Sequence, residues 1–138
     1  MIELKECFTE DFELLAEMNK QLIEDEKSNN SMEIAQLKNR MKDFLNNGYK
    51  AFFFTENKNI IGYALFDITK EPVYLRQFFI KREERRKNYG KTAFNRLMEK
   101  LDINEVEIDV LKWNEIGIKF WENLGFKEQS KRMKYKIK

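Results

Sequence analysis

The sequence predicts a mixed α/β domain whose central sheet is mainly antiparallel and flanked by helices, in the order β-α-α-β-β-β-α-β-α-β. Three observations carry this. Apolar residues recur at helical spacing through the first third, aromatic and β-branched runs fill residues 51–80, and a basic turn after Ile80 opens a second helical repeat. Strands in the middle and helices to either side of them fit a sheet covered on its faces.

Met1 to Phe8 alternates apolar Ile2, Leu4 and Cys7 and reads as a first strand. Thr9, followed by Glu10 and Asp11, reads as a helix cap with acids in the first turn. The helix face is then Phe12, Leu15, Asn19, Leu22 and Ile23, ending near the polar run Lys27 to Asn30. Ser31 caps a second helix with the face Ile34, Leu37, Met41, Phe44 and Leu45, and Gly48 follows its end. Ala51–Phe54 and Ile60–Ile68 form a hairpin with a longer loop around Glu56 to Asn59, and Pro72 introduces a strand over Val73–Ile80. Ala93, Phe94, Leu97, Met98 and Leu101 mark a third helix beginning near Tyr89. Val106, Ile108 and Val110 alternate with acids as a further strand, and Gly117 to Leu124 form a last helix ended by Gly125. A final strand is expected from Phe126 to Ile137. Nothing repeats and no linker divides the chain, so residues 1–138 are read as a single domain.

Composition narrows the chemistry. The chain has 26 Lys and Arg against 24 Asp and Glu, a formal charge of +2, which is too balanced to require nucleic acid or a membrane surface as partner. The N-terminal residues carry Glu3, Lys5 and Glu6 and lack the apolar run of a signal peptide. With the single cysteine, Cys7, this points to a reducing, cytoplasmic setting. There is no histidine, so a histidine triad or a zinc site is excluded and no metal is expected. Carboxylates, hydroxyls, backbone groups and water must do the work.

Residues 81–91 hold six cations (Lys81, Arg82, Arg85, Arg86, Lys87, Lys91) against Glu83 and Glu84. Because they sit between a strand and a helix start, backbone N–H groups and positive charge coincide there, as a phosphate ligand requires. The run from Phe78 to Gly90 resembles the coenzyme A motif of the GNAT acetyltransferases, a strand followed by Arg/Gln-x-x-Gly-x-Gly/Ala, with Arg85, Asn88 and Gly90 on the signature positions. Asn114 to Phe126 resembles that family's second segment, Asn-x-x-Ala-x-x-Phe-Tyr-x-x-x-Gly-Phe, in the right order.

The resemblance implies an N-acetyltransferase that uses acetyl-CoA as co-substrate. It implies that the backbone at Phe79 and Ile80 pairs with the pantetheine arm, and that the N–H groups of Arg86, Lys87, Asn88, Tyr89 and Gly90, with Arg85 and Lys91 or Thr92, hold the pyrophosphate. Asn114 is expected at the pantetheine, Phe120 and Trp121 at the acyl end, and the Ile80 N–H as the oxyanion donor. Two departures matter. Asn88 stands where the family has glycine, and Trp121 where a tyrosine often protonates the departing thiolate; an indole cannot do so, but a thiol of pKa about 8.5 leaves without help.

Glu24, Asp25 and Glu26 lie at the end of the first helix, where acids oppose its dipole. They are the expected acceptor site, with Glu26 as the base, and a small cationic amine is the expected acceptor. A protein amine and a coenzyme-binding regulatory module without transfer stay open as alternatives, and a homodimer is compatible with the sequence. Arg76 and Gln77 interrupt an apolar strand beside this site, and Arg76 is expected to pair with Glu107 or Asp109.

Overall fold

The computed structural model describes residues 1–138. Its sheet has five strands, β1 (Ile2–Glu6), β2 (Tyr49–Glu56), β3 (Asn59–Asp67), β4 (Val73–Ile80) and β5 (Val106–Glu107), adjacent in that order. All pairings are antiparallel except β4 with β5, which is parallel. The helices α1 (Phe12–Asp25) and α2 (Ile34–Asn46) lie between β1 and β2 in the chain, α3 (Tyr89–Leu101) makes the crossover from β4 to β5, and α4 (Glu115–Asn123) follows β5.

Strand periodicity explains the two cores. Phe52, Phe54, Ala64, Phe66 and Ile80 face one side with Phe94 and Leu97 of α3, while Ala51, Phe53, Tyr63, Leu65 and Phe79 face the other with Leu15, Leu22 and Met41 of α1 and α2. Successive residues enter opposite cores, so the middle strands read as continuous apolar runs instead of alternating ones.

Several local expectations are corrected. The β2–β3 hairpin has a two-residue turn, Asn57-Lys58, with φ of 50° and 67°; positive φ at both positions matches the strand twist better than a longer loop. The α2 N-cap is Glu33, whose backbone N–H donates to Gln36 Oε1 at 2.8 Å, and Ser31 lies outside the helix. At the end of α4, Gly125 (φ 108°) donates to Glu122 O and Phe126 to Trp121 O, both at 3.0 Å, as the glycine predicts. The expected last strand does not form: residues 126–138 carry no strand, and Met133, Tyr135 and Ile137 are exposed. Their alternation suits a strand, but β5 supplies only two ladder residues as a neighbouring edge. No helix is long and apolar enough to cross a membrane.

Candidate active site

A cleft opens because β4 and β5 part company. They pair only at Val73 with Val106 and Tyr74 with Glu107, after which β4 runs on to Ile80 alone on that edge. The strand expected through Val110 therefore stops at Glu107, and Ile108 and Val110 line the cleft. The Lys81 N–H donates to Ile61 O at 2.8 Å, and peptide groups alternate along a strand. Phe79 thus also faces β3, and it is Phe78 and Ile80 whose peptides face the open edge. The Ile80 carbonyl is taken by Arg85 Nε at 2.8 Å, which leaves the Ile80 N–H toward the cleft. Phe79 and Ile80 both line the cleft; the Phe79 ring packs in the core under α1 and its peptide faces β3, whereas the Ile80 peptide faces the open edge.

The cavity along this edge measures about 660 Å³, within the range of small-ligand sites. Arg85, Arg86, Asn88, Tyr89, Gly90 and Lys91 line it after β4; Asn114, Phe120 and Trp121 line it from α4; Asp25 and Glu26 line it from the end of α1. Lys87 and Thr92 do not line it: Lys87 Nζ pairs with Glu84 at 2.9 Å, and the Thr92 hydroxyl donates to Asn88 O at 3.2 Å. Residues from distant parts of the chain thus share one space.

The turn before α3 is shaped for an anion. Arg86 and Asn88 both have left-handed backbone, φ 68° and 63°, and α3 starts at Tyr89. Asparagine tolerates that conformation better than other side-chain-bearing residues, which accounts for Asn88 at a glycine position. Gly90 meets a different demand: a Cβ there would come within 2.9 Å of the Phe120 ring, so glycine lets α4 close over the start of α3.

Arg85 and the acids prove to be one cluster. Asp25 accepts from Arg82 Nε at 2.8 Å and from Arg85 Nη2 at 2.6 Å, and Glu24 accepts from Arg82 at 3.2 Å. Desolvation alone would raise the Asp25 carboxyl, but the two guanidinium hydrogen bonds outweigh it and the net shift is downward. Glu24 and Asp25 are therefore engaged by arginines of the same chain. Glu26 makes no ion pair, and burial followed by the Asp25 charge raises its pKa, which suits a proton acceptor.

On α4, Asn114 Oδ1 accepts from Gly117 N–H at 3.1 Å and so caps the helix. Trp121 packs at 5.3 Å from Phe78, 5.8 Å from Phe94 and 5.2 Å from Phe126, between ring centroids, and serves as the centre of an aromatic cluster. Phe78, which sequence reasoning passed over, is the β4 residue this cluster surrounds. Arg76 is not paired with Glu107 or Asp109; the Tyr74 hydroxyl donates to Asp109 at 2.8 Å, and Arg76 reaches Tyr49 Oη at 3.4 Å. The interruption of an apolar strand by Arg76-Gln77 was the signal for this part of the site.

An α/β sheet split at one edge, with a cation-rich, left-handed turn where the freed strand meets a helix, has the geometry of a site for an extended ligand with an anionic end. The model of the acetyltransferase (GNAT) family matches residues 5–126, and the chain belongs to that family of acetyl-CoA-dependent acyltransferases. No curated protein matches the sequence. Among solved structures, one described as a possible acetyltransferase from Clostridium difficile 630 superposes with a TM-score of 0.78 at 19% identity, covering 99% of this chain and 98% of that one. The aminoglycoside N-acetyltransferase AAC(6')-Iy in complex with CoA gives 0.75 at 18% identity, over 99% and 94%. A predicted acetyltransferase of Clostridium acetobutylicum with acetyl-CoA gives 0.74 at 16%, over 99% and 97%. At such identities the likeness concerns the fold.

Proposed function

We propose that this enzyme moves the acetyl group of acetyl-CoA to the primary amine of a small-molecule acceptor by direct attack in a ternary complex. One observation carries the reading: Ile80 at the open edge of β4, the turn residues Arg85, Arg86 and Asn88 to Gly90, and Glu26 at the end of α1 border a single cavity. Backbone N–H groups of the turn and the Arg86 and Lys91 cations suit the pyrophosphate. The pantetheine arm fits along the edge at Phe78 and Ile80, which brings the thioester toward Glu26. The small molecule named for the aminoglycoside-acetylating relative supports an acceptor of modest size.

Glu26 receives the ammonium of the acceptor and takes a proton from it. The freed nitrogen attacks the thioester carbon, a C–N bond forms, the C–S bond breaks, and the coenzyme leaves as thiolate. Two protons depart the nitrogen in all; one ends on sulfur and one in solvent. The Ile80 N–H is the donor for the oxygen that gains negative charge. Trp121 contributes packing and no proton.

The test joins binding to chemistry. The melting temperature should rise with acetyl-CoA, because a ligand held only by the folded state stabilises it. Free thiol should then appear when primary amines are added and not with matched tertiary amines. No rise would remove the coenzyme reading; a rise without thiol release from any primary amine would leave a binding module and overturn transfer.

A further inference from the structure

We propose that the acceptor carries an anionic group beside its amine, and that Arg76, backed by Arg40, binds that group. The proposal rests on the reading above for the amine end, and adds the second handle by which the substrate is held.

The register of β4 supplies the first observation. Leu65 pairs with Gln77 and Phe66 with Leu75, so Arg76 is an extra residue in a bulge. A bulge moves the residues on its two sides to opposite faces. Accordingly Leu75 enters the core beside α3, whereas the Gln77 side chain accepts from the Tyr63 hydroxyl at 2.7 Å on the side of α1. Arg76 between them is exposed, lines the cleft, and lies four residues before Ile80, about 13 Å along the strand. If the pantetheine arm runs along β4 from the turn, Arg76 lies past its thioester end, in the cavity that Leu22 and Glu26 also line.

The second observation is charge without a counter-ion. The Arg76 guanidinium lies 4.9 Å from the centroid of the Phe44 ring and touches only the Tyr49 hydroxyl, at 3.4 Å. Arg40 lies 5.4 Å from the same ring, gives Nη2 to Asn19 at 3.0 Å, and has a buried Nε with no partner. Neither arginine has a carboxylate within 4.0 Å, although the same chain satisfies Arg82 and Arg85 with Glu24 and Asp25. Two guanidinium groups on one phenyl ring repel each other, and a buried donor left unpaired is costly. Only Arg76 of the two lines the cleft, so an oxyanion bound there would pair with Arg76 and offset the repulsion from Arg40 behind it; guanidinium forks match carboxylate and phosphate oxygens. With Glu26 holding the ammonium, the arrangement fits a substrate that bears amine and anion together.

The experiment uses three sets of acceptors with acetyl-CoA: amino acids, their carboxamides, and aminoalkyl phosphate monoesters. Wild type should favour one anionic set over the carboxamides by about tenfold or more in kcat/KM, mostly through KM, and Arg76→Gln should abolish that preference while Arg76→Lys restores part of it. Whichever anionic set wins identifies the group as carboxylate or phosphate. Carboxamides as good as both anionic sets, or a preference that survives Arg76→Gln, would overturn the proposal. A second readout needs no turnover: with coenzyme A present, N-acetylated amino acids or N-acetylated aminoalkyl phosphates should bind wild type about tenfold tighter than the N-acetylated carboxamides and Arg76→Gln should erase the difference. If thiol release fails with every acceptor but this difference is seen, transfer fails and the anion site stands; equal binding of all three sinks the anion site whatever the activity.

Discussion

The Trp113 indole N–H donates to the Glu26 carbonyl at 3.0 Å, joining residues 87 positions apart. Trp113 precedes the cap of α4 and Glu26 is the C-cap of α1, so the bond ties together two segments that border the same cleft. It also satisfies one of the carbonyls that a helix end leaves free. The backbone that carries the Glu26 carboxylate is thus anchored from the opposite wall. Trp113→Phe keeps a ring and removes the donor. Because the bond is exposed, stability should change by no more than about 1 kcal/mol, while KM for the amine rises and acetyl-CoA affinity stays as it was. An equal loss of acetyl-CoA affinity would show that Trp113 shapes the whole cleft instead of the acceptor end.

Glu26→Gln should separate stability from activity. Burial and the Asp25 charge raise the folded-state pKa of Glu26, so folding favours its protonated form. That favourable contribution is complete below the unfolded pKa and disappears as pH rises through the folded one, leaving a buried charge above it. The glutamine variant should therefore melt higher than wild type at neutral pH, with the gap closing in acid, and lose about 10²-fold or more in kcat. A lower melting temperature at neutral pH would contradict the buried-charge account.

The sheet, the helices and the basic turn before α3 were legible in the sequence because each rests on local signals: apolar period, Gly125 beyond α4, and cations at a strand-to-helix junction. The ion pairs were not. Glu24 and Asp25 look free in sequence because Arg82 and Arg85 lie some 60 positions away, and only the packing of α1 against the loop after β4 brings them together. The bulge at Arg76 likewise has no mark in composition beyond a polar pair inside an apolar strand. The expected strand after Phe126 shows the opposite failure, a good local pattern without a tertiary edge to receive it.

Asp25 supports an acid-limb prediction. Burial pushes its carboxyl up, but the hydrogen bonds and charges of Arg82 and Arg85 together outweigh that and hold its folded pKa below the usual value. A depressed carboxylate contributes stability above its unfolded pKa, about 3.9, and that contribution is lost as pH falls below it toward the folded value. Wild type should thus lose melting temperature below about pH 4 more steeply than Asp25→Asn. Since both arginines are partly exposed, the difference at neutral pH should stay within about 1 kcal/mol. Parallel acid limbs would mean that the cluster is too well solvated to matter.

Asn88 offers the sharpest probe of the pyrophosphate turn. Its φ of 63° is one that L-residues adopt at a cost of about 1–2 kcal/mol, which asparagine partly avoids and glycine avoids altogether. Asn88→Ala should therefore lower the melting temperature, and Asn88→Gly should hold or raise it. The same two variants should part again on adding acetyl-CoA, because glycine also clears the side chain from the mouth of the turn where the phosphates are proposed to sit. Titration of Asn88→Gly should show affinity equal to or above wild type. If glycine instead weakens binding while stability is kept, the Asn88 amide itself touches the ligand, and the residue has taken on a contact in place of the space that glycine would leave.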